Sequence, residues 1–205
     1  MKKDRKNHWE TIYENKSPDD VSWTQKTPQT SLDFIHSFGL DKSAKIIDIG
    51  GGDGKLVDYL LDEGFENITV LDISAKALEK VKKRLGNKAV KVNWIVSDIT
   101  EFKPQTIYDV WHDRATFHFL TKTEQVDKYI STAQIAATGF LIIGTFSEDG
   151  PIKCSGLDIK QYNGETLTSI FKDGFDKIAC RKVNHTTPSG SMQNFLFCSF
   201  KRNEK

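Results

Sequence analysis

From residue 44 onward, short apolar runs alternate with stretches whose apolar residues recur at helical spacing, an order that few architectures accept. Ala44–Ile49 carries Ile46, Ile47 and Ile49 and runs straight into a glycine-rich stretch, after which Leu56, Val57, Leu60 and Leu61 return at helical spacing. That reads as strand, turn, helix. A second unit follows: Ile68–Leu71 as strand and Ala75–Leu85 as helix, with Ser74 placed to cap it. Val90–Val96, Ile107–Trp111 and Phe140–Phe146 read as further strands, the last apolar enough to be buried on both faces, and Glu124–Ala137 fits the helix between the last two. Strand–helix alternation predicts a parallel sheet with right-handed crossovers.

Near the C-terminus the pattern changes. Phe175–Val183 and Asn194–Phe200 flank the turn-rich Thr187-Pro188-Ser189-Gly190 and read as an antiparallel hairpin, which puts one reversed strand in the sheet. Residues 1–43 read as a cap of about two helices joined by a Pro-containing loop from Ser17 to Pro28. The expected fold is α/β: a seven-stranded, mostly parallel sheet with an antiparallel C-terminal hairpin strand, helices on both faces and the helical N-terminal cap. A length of 205 residues suits a single domain, 1–205, divided into the cap or lid (1–43) and the core (44–205).

Composition mostly excludes. Lys plus Arg total 29 against 28 Asp plus Glu, so no global field attracts nucleic acid or an anionic membrane. The N-terminus from Met1 to Lys6 is basic but no apolar stretch follows it, and no run approaches the roughly 18 apolar residues of a membrane helix. A cytoplasmic, unprocessed protein is expected. Cys154, Cys180 and Cys198 are odd in number, far apart and without CxxC spacing, which argues against a disulfide framework and against a zinc site; no metal is expected.

The glycine stretch Asp48-Ile49-Gly50-Gly51-Gly52-Asp53-Gly54 follows a strand and opens a helix, where a nucleotide-type ligand approaches the carboxyl edge of an open sheet. The dinucleotide fingerprint requires a third glycine at position 55, which is Lys. The spacing is GxGxG behind an acid, and it resembles motif I of the class I S-adenosylmethionine-dependent methyltransferases. An ammonium and a carboxylate on the ligand suit an acid beside helix-opening N–H groups. Asp72 ends the second strand, where an acid can accept bonds from both ribose hydroxyls or can cap the next helix together with Ser74. Asp98, in Val96-Ser97-Asp98-Ile99, stands where the family places a contact to the adenine amino group. The resemblance, from about Trp9 to Phe200, implies S-adenosylmethionine as cofactor, held by Asp48, Gly50, Gly51, Gly52, Asp72, Ile73, Asp98, Ile99 and Trp23.

Two further likenesses diverge. His8-Trp9-Glu10 with Val21-Ser22-Trp23 is similar to the entry segment of methyltransferase-like lysine enzymes, whereas Asp109-Val110-Trp111-His112-Asp113-Arg114-Ala115 is similar to the fourth-strand motif of thiopurine and related small-molecule methyltransferases. The Asn-Pro-Pro-Tyr type of motif carried by nucleic-acid amino methyltransferases is absent, so a nucleic-acid partner is not expected. Residues after the fourth strand reach the methyl group in this fold, which makes His112 and Asp113 the candidate catalytic groups. His112 is read either as a base or as a hydrogen-bonding group beside the cofactor, and Asp113 with Arg114 as an ion pair that shapes the turn. Trp23, His118, Cys154 and His185 are expected to gather over the same edge. Trp9, Tyr13 and Trp23 are too large for a freely solvated tail, and His118 is expected to be a satisfied core residue. The expected activity is methyl transfer to a small molecule, releasing S-adenosylhomocysteine, with a protein lysine methyltransferase and a non-catalytic cofactor-binding module as the alternatives.

Overall fold

A computed structural model describes residues 2–203, so Met1 of the basic N-terminal run lies outside the described residues. The strands β1 (Lys45–Ile49), β2 (Asn67–Asp72), β3 (Val92–Val96), β4 (Tyr108–Arg114) and β5 (Ala137–Phe146) pair in parallel, and β8 (Phe175–Thr186) and β9 (Met192–Arg202) complete the sheet. Among the described residues the order is β3-β2-β1-β4-β5-β9-β8, seven strands in which β9 alone runs against its neighbours. The expected α/β sheet with a reversed C-terminal hairpin strand is the fold.

Side chains on a strand alternate between its two faces, and two apolar layers follow from that alternation. Ile46, Val110 and Ile142 face α2 (Gln29–Ser37), α3 (Leu56–Asp62) and α4 (Ala75–Leu85), whose Leu32, Ile35, Leu60 and Val81 share one cluster. Ile47, Trp111 and Leu141 face α5 (Thr123–Ala136) and α6 (Gly164–Phe171) in the other, with Tyr129, Ala133, Leu167 and Phe171. Helix α4 starts as expected: the Ser74 side chain accepts from the Ala77 amide. The first helix, α1 (Lys2–Asn15), and a short 3-10 turn at Pro18–Asp20 precede α2, so the two-helix cap is present.

Three features depart from expectation. β4 continues to Arg114 instead of ending at Trp111, which places His112, Asp113 and Arg114 inside the strand. Helix α6 had no counterpart in the reading of apolar runs, nor did the small hairpin of β6 (Lys153–Cys154) and β7 (Leu157–Asp158). The disulfide reading is overturned as well. Cys180 and Cys198 are bonded, because the β8–β9 register sets them directly opposite each other with Cα atoms 4.1 Å apart. Separation along the chain says little once a hairpin fixes which residues meet.

Candidate functional site

The carboxyl ends of β1, β2 and β4 border a cavity of about 810 Å³. On its β3–β2–β1 side the wall includes Asp48, Gly50, Gly51, Asp72, Ile73, Asp98 and Ile99; on its β4–β5–β9 side it includes Arg114, Phe119, Phe146, Cys154 and Phe195, with Trp9, Tyr13 and Trp23 over the top. The sequence-predicted residues therefore converge, with Gly52 and Asp113 outside the lining.

The loop from Gly50 is a cradle that side chains cannot enter. Gly50 and Gly52 have positive φ (64° and 52°), and a Cβ at Gly50 would lie 1.7 Å from Thr116 Oγ1. A Cβ on Gly51 would lie 2.8 Å from Asp48 Oδ2. The amides are engaged within the fold: Gly50 and Gly51 donate to the Leu71 carbonyl, Gly52 to Asp72, and Gly54 to the Gly51 carbonyl. The charge the loop brings to the cavity is therefore the Asp48 carboxylate. That suits an ammonium group.

Asp72, at the end of β2, is buried, only 5% exposed. Its Oδ2 accepts from Gly52 N at 2.9 Å and its Oδ1 from Ser74 N at 2.8 Å, so it shapes the loop and starts α4 while each oxygen keeps a lone pair for a hydroxyl donor. Burial, reinforced by nearby Asp48 and Asp53, outweighs those two bonds and lifts its pKa to about 7. A raised folded-state pKa means the fold favours the proton, so this contribution to stability is greatest in acid and is lost as pH rises through about 7. Wild-type protein is expected to lose about 2–3 kcal/mol between pH 5 and pH 8 from this group. In Asp72→Asn that component should vanish, a comparison denaturant melts can make; parallel pH profiles for the two proteins would sink it.

The remaining acid is held from the cap. Burial alone would raise the Asp98 pKa, but an ion pair with Arg5 of α1 and bonds from Thr100 bring it below the usual carboxylate range. Glu10, also on α1, accepts from Ser74 Oγ, Ala75 N and Lys76 N at 2.7–3.1 Å, so it caps α4 from another helix. Tyr13 has its hydroxyl 2.3 Å from where a Gly52 Cβ would be. Trp9 packs edge-on against Trp23 (5.8 Å) and Phe119 (5.1 Å), and Trp23 Nε1 reaches Asp53 at 3.4 Å. The three large rings of the cap thus pack on the site. Asp72 and Asp98 with lone pairs to offer, Ile73 and Ile99 as apolar walls and Asp48 behind the glycines make an acceptor set that fits a nucleoside carrying an amino acid.

Strand alternation splits the fourth-strand motif. His112 and Arg114 point to the α2 side; Asp113 points to the α5 side. His112 Nδ1 lies 2.7 Å from Asp48 Oδ1 and its Nε2 2.8 Å from Ser31 Oγ on α2. Both contacts are satisfied when Nδ1 donates and the Ser31 hydroxyl donates to Nε2. Asp113 accepts from Thr116 N, Phe117 N and Tyr129 Oη at 2.8–3.2 Å, and burial lifts its pKa to about 6 despite these bonds. The expected Asp113–Arg114 ion pair does not form, since neighbours on a strand face opposite ways. Arg114 instead donates from Nη1 to the Trp23 carbonyl (2.9 Å) and lies 5.0 Å over the Phe195 ring. Burial draws its pKa down to about 10, so it stays charged at neutral pH.

Of the four outlying residues, Trp23 and Cys154 line the cavity, while His118 and His185 do not. His118 is core, as expected, but only half satisfied: Nδ1 accepts from the Phe146 amide at 3.4 Å, Nε2 has no partner among the described residues, and burial presses its pKa to about 3. No cluster of three metal-ligating side chains occurs among the described residues. No helix among them is long and apolar enough to cross a membrane. The sequence reading missed Arg5, Glu10 and Ser31. Arg5 and Glu10 sit on a helix with a weak apolar face, and Ser31 shows nothing in one dimension of its meeting with His112.

Residues 46–135 match the family model described as a methyltransferase domain. The chain is 30% identical over 105 residues to malonyl-[acyl-carrier protein] O-methyltransferase 2 of Ilyobacter polytropus, covering 51% of this chain and 40% of that protein. It is 28% identical over 157 residues to EEF1A lysine methyltransferase 2 of Danio rerio, covering 71% of this chain and 60% of that one. The chain thus spans about half the length of these curated relatives. Among solved structures, the Burkholderia thailandensis 1,6-didemethyltoxoflavin-N1-methyltransferase, with bound 1,6-didemethyltoxoflavin and S-adenosylhomocysteine, superimposes with a TM-score of 0.73 at 14% identity over 98% of this chain and 88% of that one.

Proposed function

We propose that the chain is a class I, Rossmann-like, S-adenosylmethionine-dependent methyltransferase that transfers the methyl group to a small-molecule acceptor and releases S-adenosylhomocysteine. The observation that carries this reading is the continuous cavity of about 810 Å³, which joins the three-acid sheet edge to a compartment walled by Trp9, Trp23, Phe119 and Phe195. When bound, S-adenosylmethionine supplies an electrophilic methyl on a sulfonium. The chain's part is to hold the acceptor in line and keep water out.

In this reading Asp48 takes the ammonium end, with Gly50 and Gly51 allowing close approach and Gly52 lending its amide to Asp72. Asp72 accepts the ribose hydroxyls, Ile73 and Ile99 enclose the adenine, and Asp98 takes its amino group once Arg5 yields. Trp23 covers the pocket, and residues 1–43 serve as a lid on a core formed by 44–205. His112, with both ring nitrogens engaged, acts as a positioning residue: it orients Asp48 and ties α2 to the site through Ser31. Asp113 positions the turn after β4 from the opposite face.

The experiment is transfer of a tritiated methyl group from S-adenosylmethionine into a metabolite extract and, separately, a protein extract. Label is expected in the metabolite fraction. Label confined to protein would replace this reading with the lysine one, which the likeness to a lysine methyltransferase favours. Cofactor binding without label in either fraction would leave a non-catalytic binding module.

A further inference from the structure

We propose that the acceptor carries a carboxylate, and that Arg114 receives it on the Nε–Nη2 edge of its guanidinium. The inference rests on the methyl-transfer reading and names the substrate class for it. The carboxylate is the handle by which the molecule is held; the atom that receives the methyl group lies elsewhere on it.

The starting point is a cation with two of its three nitrogens unanswered. Arg114 lines the cavity, and Nη1 is committed to the Trp23 carbonyl at 2.9 Å. Nε and Nη2 are shielded from solvent and have no hydrogen-bond partner among the described residues. These two nitrogens form one straight side of the guanidinium, with two parallel N–H groups spaced to meet the two oxygens of a carboxylate. A buried guanidinium with an unanswered edge is costly, so the fold holds it in a state that a bound anion completes.

The neighbouring acids make no hydrogen bond to its open edge, although the charge of Asp48 favours the charged guanidinium. Asp48 is bonded to His112, and Asp53 is met by Trp23 Nε1. Asp113 faces the other layer, where it takes three donors. Nor is the side chain free to swing out to water: its guanidinium rests on the Phe195 ring at 5.0 Å and is tied to the Trp23 carbonyl. The backbone behind it is fixed too. Ala115 holds a positive φ of 71° and its amide donates to the Gly144 carbonyl at 2.8 Å.

A second unanswered group stands in the same wall. Gln193 lines the cavity, and its Oε1 is buried without a partner among the described residues, an acceptor left open for an N–H or O–H. Rings of Trp9, Trp23 and Phe195 supply flat apolar walls between. The pocket therefore fits a small, flat acid that also carries a donor group, such as a hydroxyaryl carboxylate. It disfavours a lysine side chain, whose ammonium would be brought toward an unpaired guanidinium.

Binding of matched probes tests this without turnover. Benzoate against benzamide, and 4-hydroxybenzoate against 4-hydroxybenzamide, are titrated calorimetrically into the protein saturated with S-adenosylhomocysteine. Wild type is expected to bind at least one acid tighter than its amide by on the order of tenfold, the scale of one charge-assisted contact. Arg114→Gln should lose that preference. Arg114→Lys, which keeps the charge but not the fork, should retain only part of it, and serves alone if the glutamine variant fails to fold. Equal binding of acid and amide, no binding of either acid, or a preference that survives in Arg114→Gln overturns the proposal. If S-adenosylhomocysteine itself fails to bind while acids are still preferred by the protein without it, the methyl-transfer reading fails and the anion site stands.

Discussion

Asp113→Ala is expected to cost about 3–5 kcal/mol of folding stability, the range for removing one partner from a buried charged network. The fully buried carboxylate holds three donors: the amides of Thr116 and Phe117, which start the turn after β4, and the hydroxyl of Tyr129 on α5. Alanine leaves all three buried and unanswered. Asp113→Asn keeps one acceptor oxygen and removes the charge, so its loss should be smaller, about 1–2 kcal/mol. Urea melts of the three proteins measure this directly. If alanine costs less than asparagine, the carboxylate is not what holds the turn.

Gly50→Ala should be nearly as damaging, about 3–4 kcal/mol, and should also abolish binding of S-adenosylhomocysteine. A left-handed φ of 64° costs an L-residue roughly 1–2 kcal/mol. The added methyl would in addition lie 1.7 Å from Thr116 Oγ1, so Thr116 must give up its bond to the Ile49 carbonyl and move. Because Asp113 holds the amide of that same Thr116, the two substitutions strike one turn from its two sides. Their effects should therefore not add, and a double-mutant cycle is expected to show coupling of at least about 0.5 kcal/mol. Strict additivity, with cofactor binding intact in Gly50→Ala, would separate the loop from the turn.

The elements that could be read in one dimension are those whose pattern is local. β1, β2 and α4 lie within a residue or so of where the apolar runs put them, and the Ser74 cap was visible as a serine before a helical stretch. The site was legible as far as its glycines and strand-end acids. The fourth strand was read as too short because His112, Asp113 and Arg114 are polar. They are polar because that strand end is the site, and a buried polar strand end breaks the apolar pattern that signals a strand. Had the strand been carried to residue 114, the period of two would have separated Asp113 from His112 and Arg114 at once. Helix α6 did announce itself through Asn163 at its cap and Leu167, Ile170 and Phe171 at helical spacing, a short signal between longer ones. The Cys180–Cys198 pairing and the reach of Arg5 and Glu10 across the molecule depend on register and docking, which no local window contains.

The docking of α1 has a bearing on the order in which the molecule is made. Glu10 binds residues 74–76 and Arg5 binds Asp98, so the polar groups that seat the helix lie 64 to 93 positions further along the chain. At a synthesis rate of roughly 5–20 residues per second, several seconds pass before its seat exists. During that interval Trp9 and Tyr13 emerge with no sheet edge to cover them, on a helix of 14 residues that is marginal alone. A helix synthesised ahead of its own seat is thus a late one to settle, and the opening over the sheet edge stays accessible until the third strand and the turn carrying Asp98 are in place.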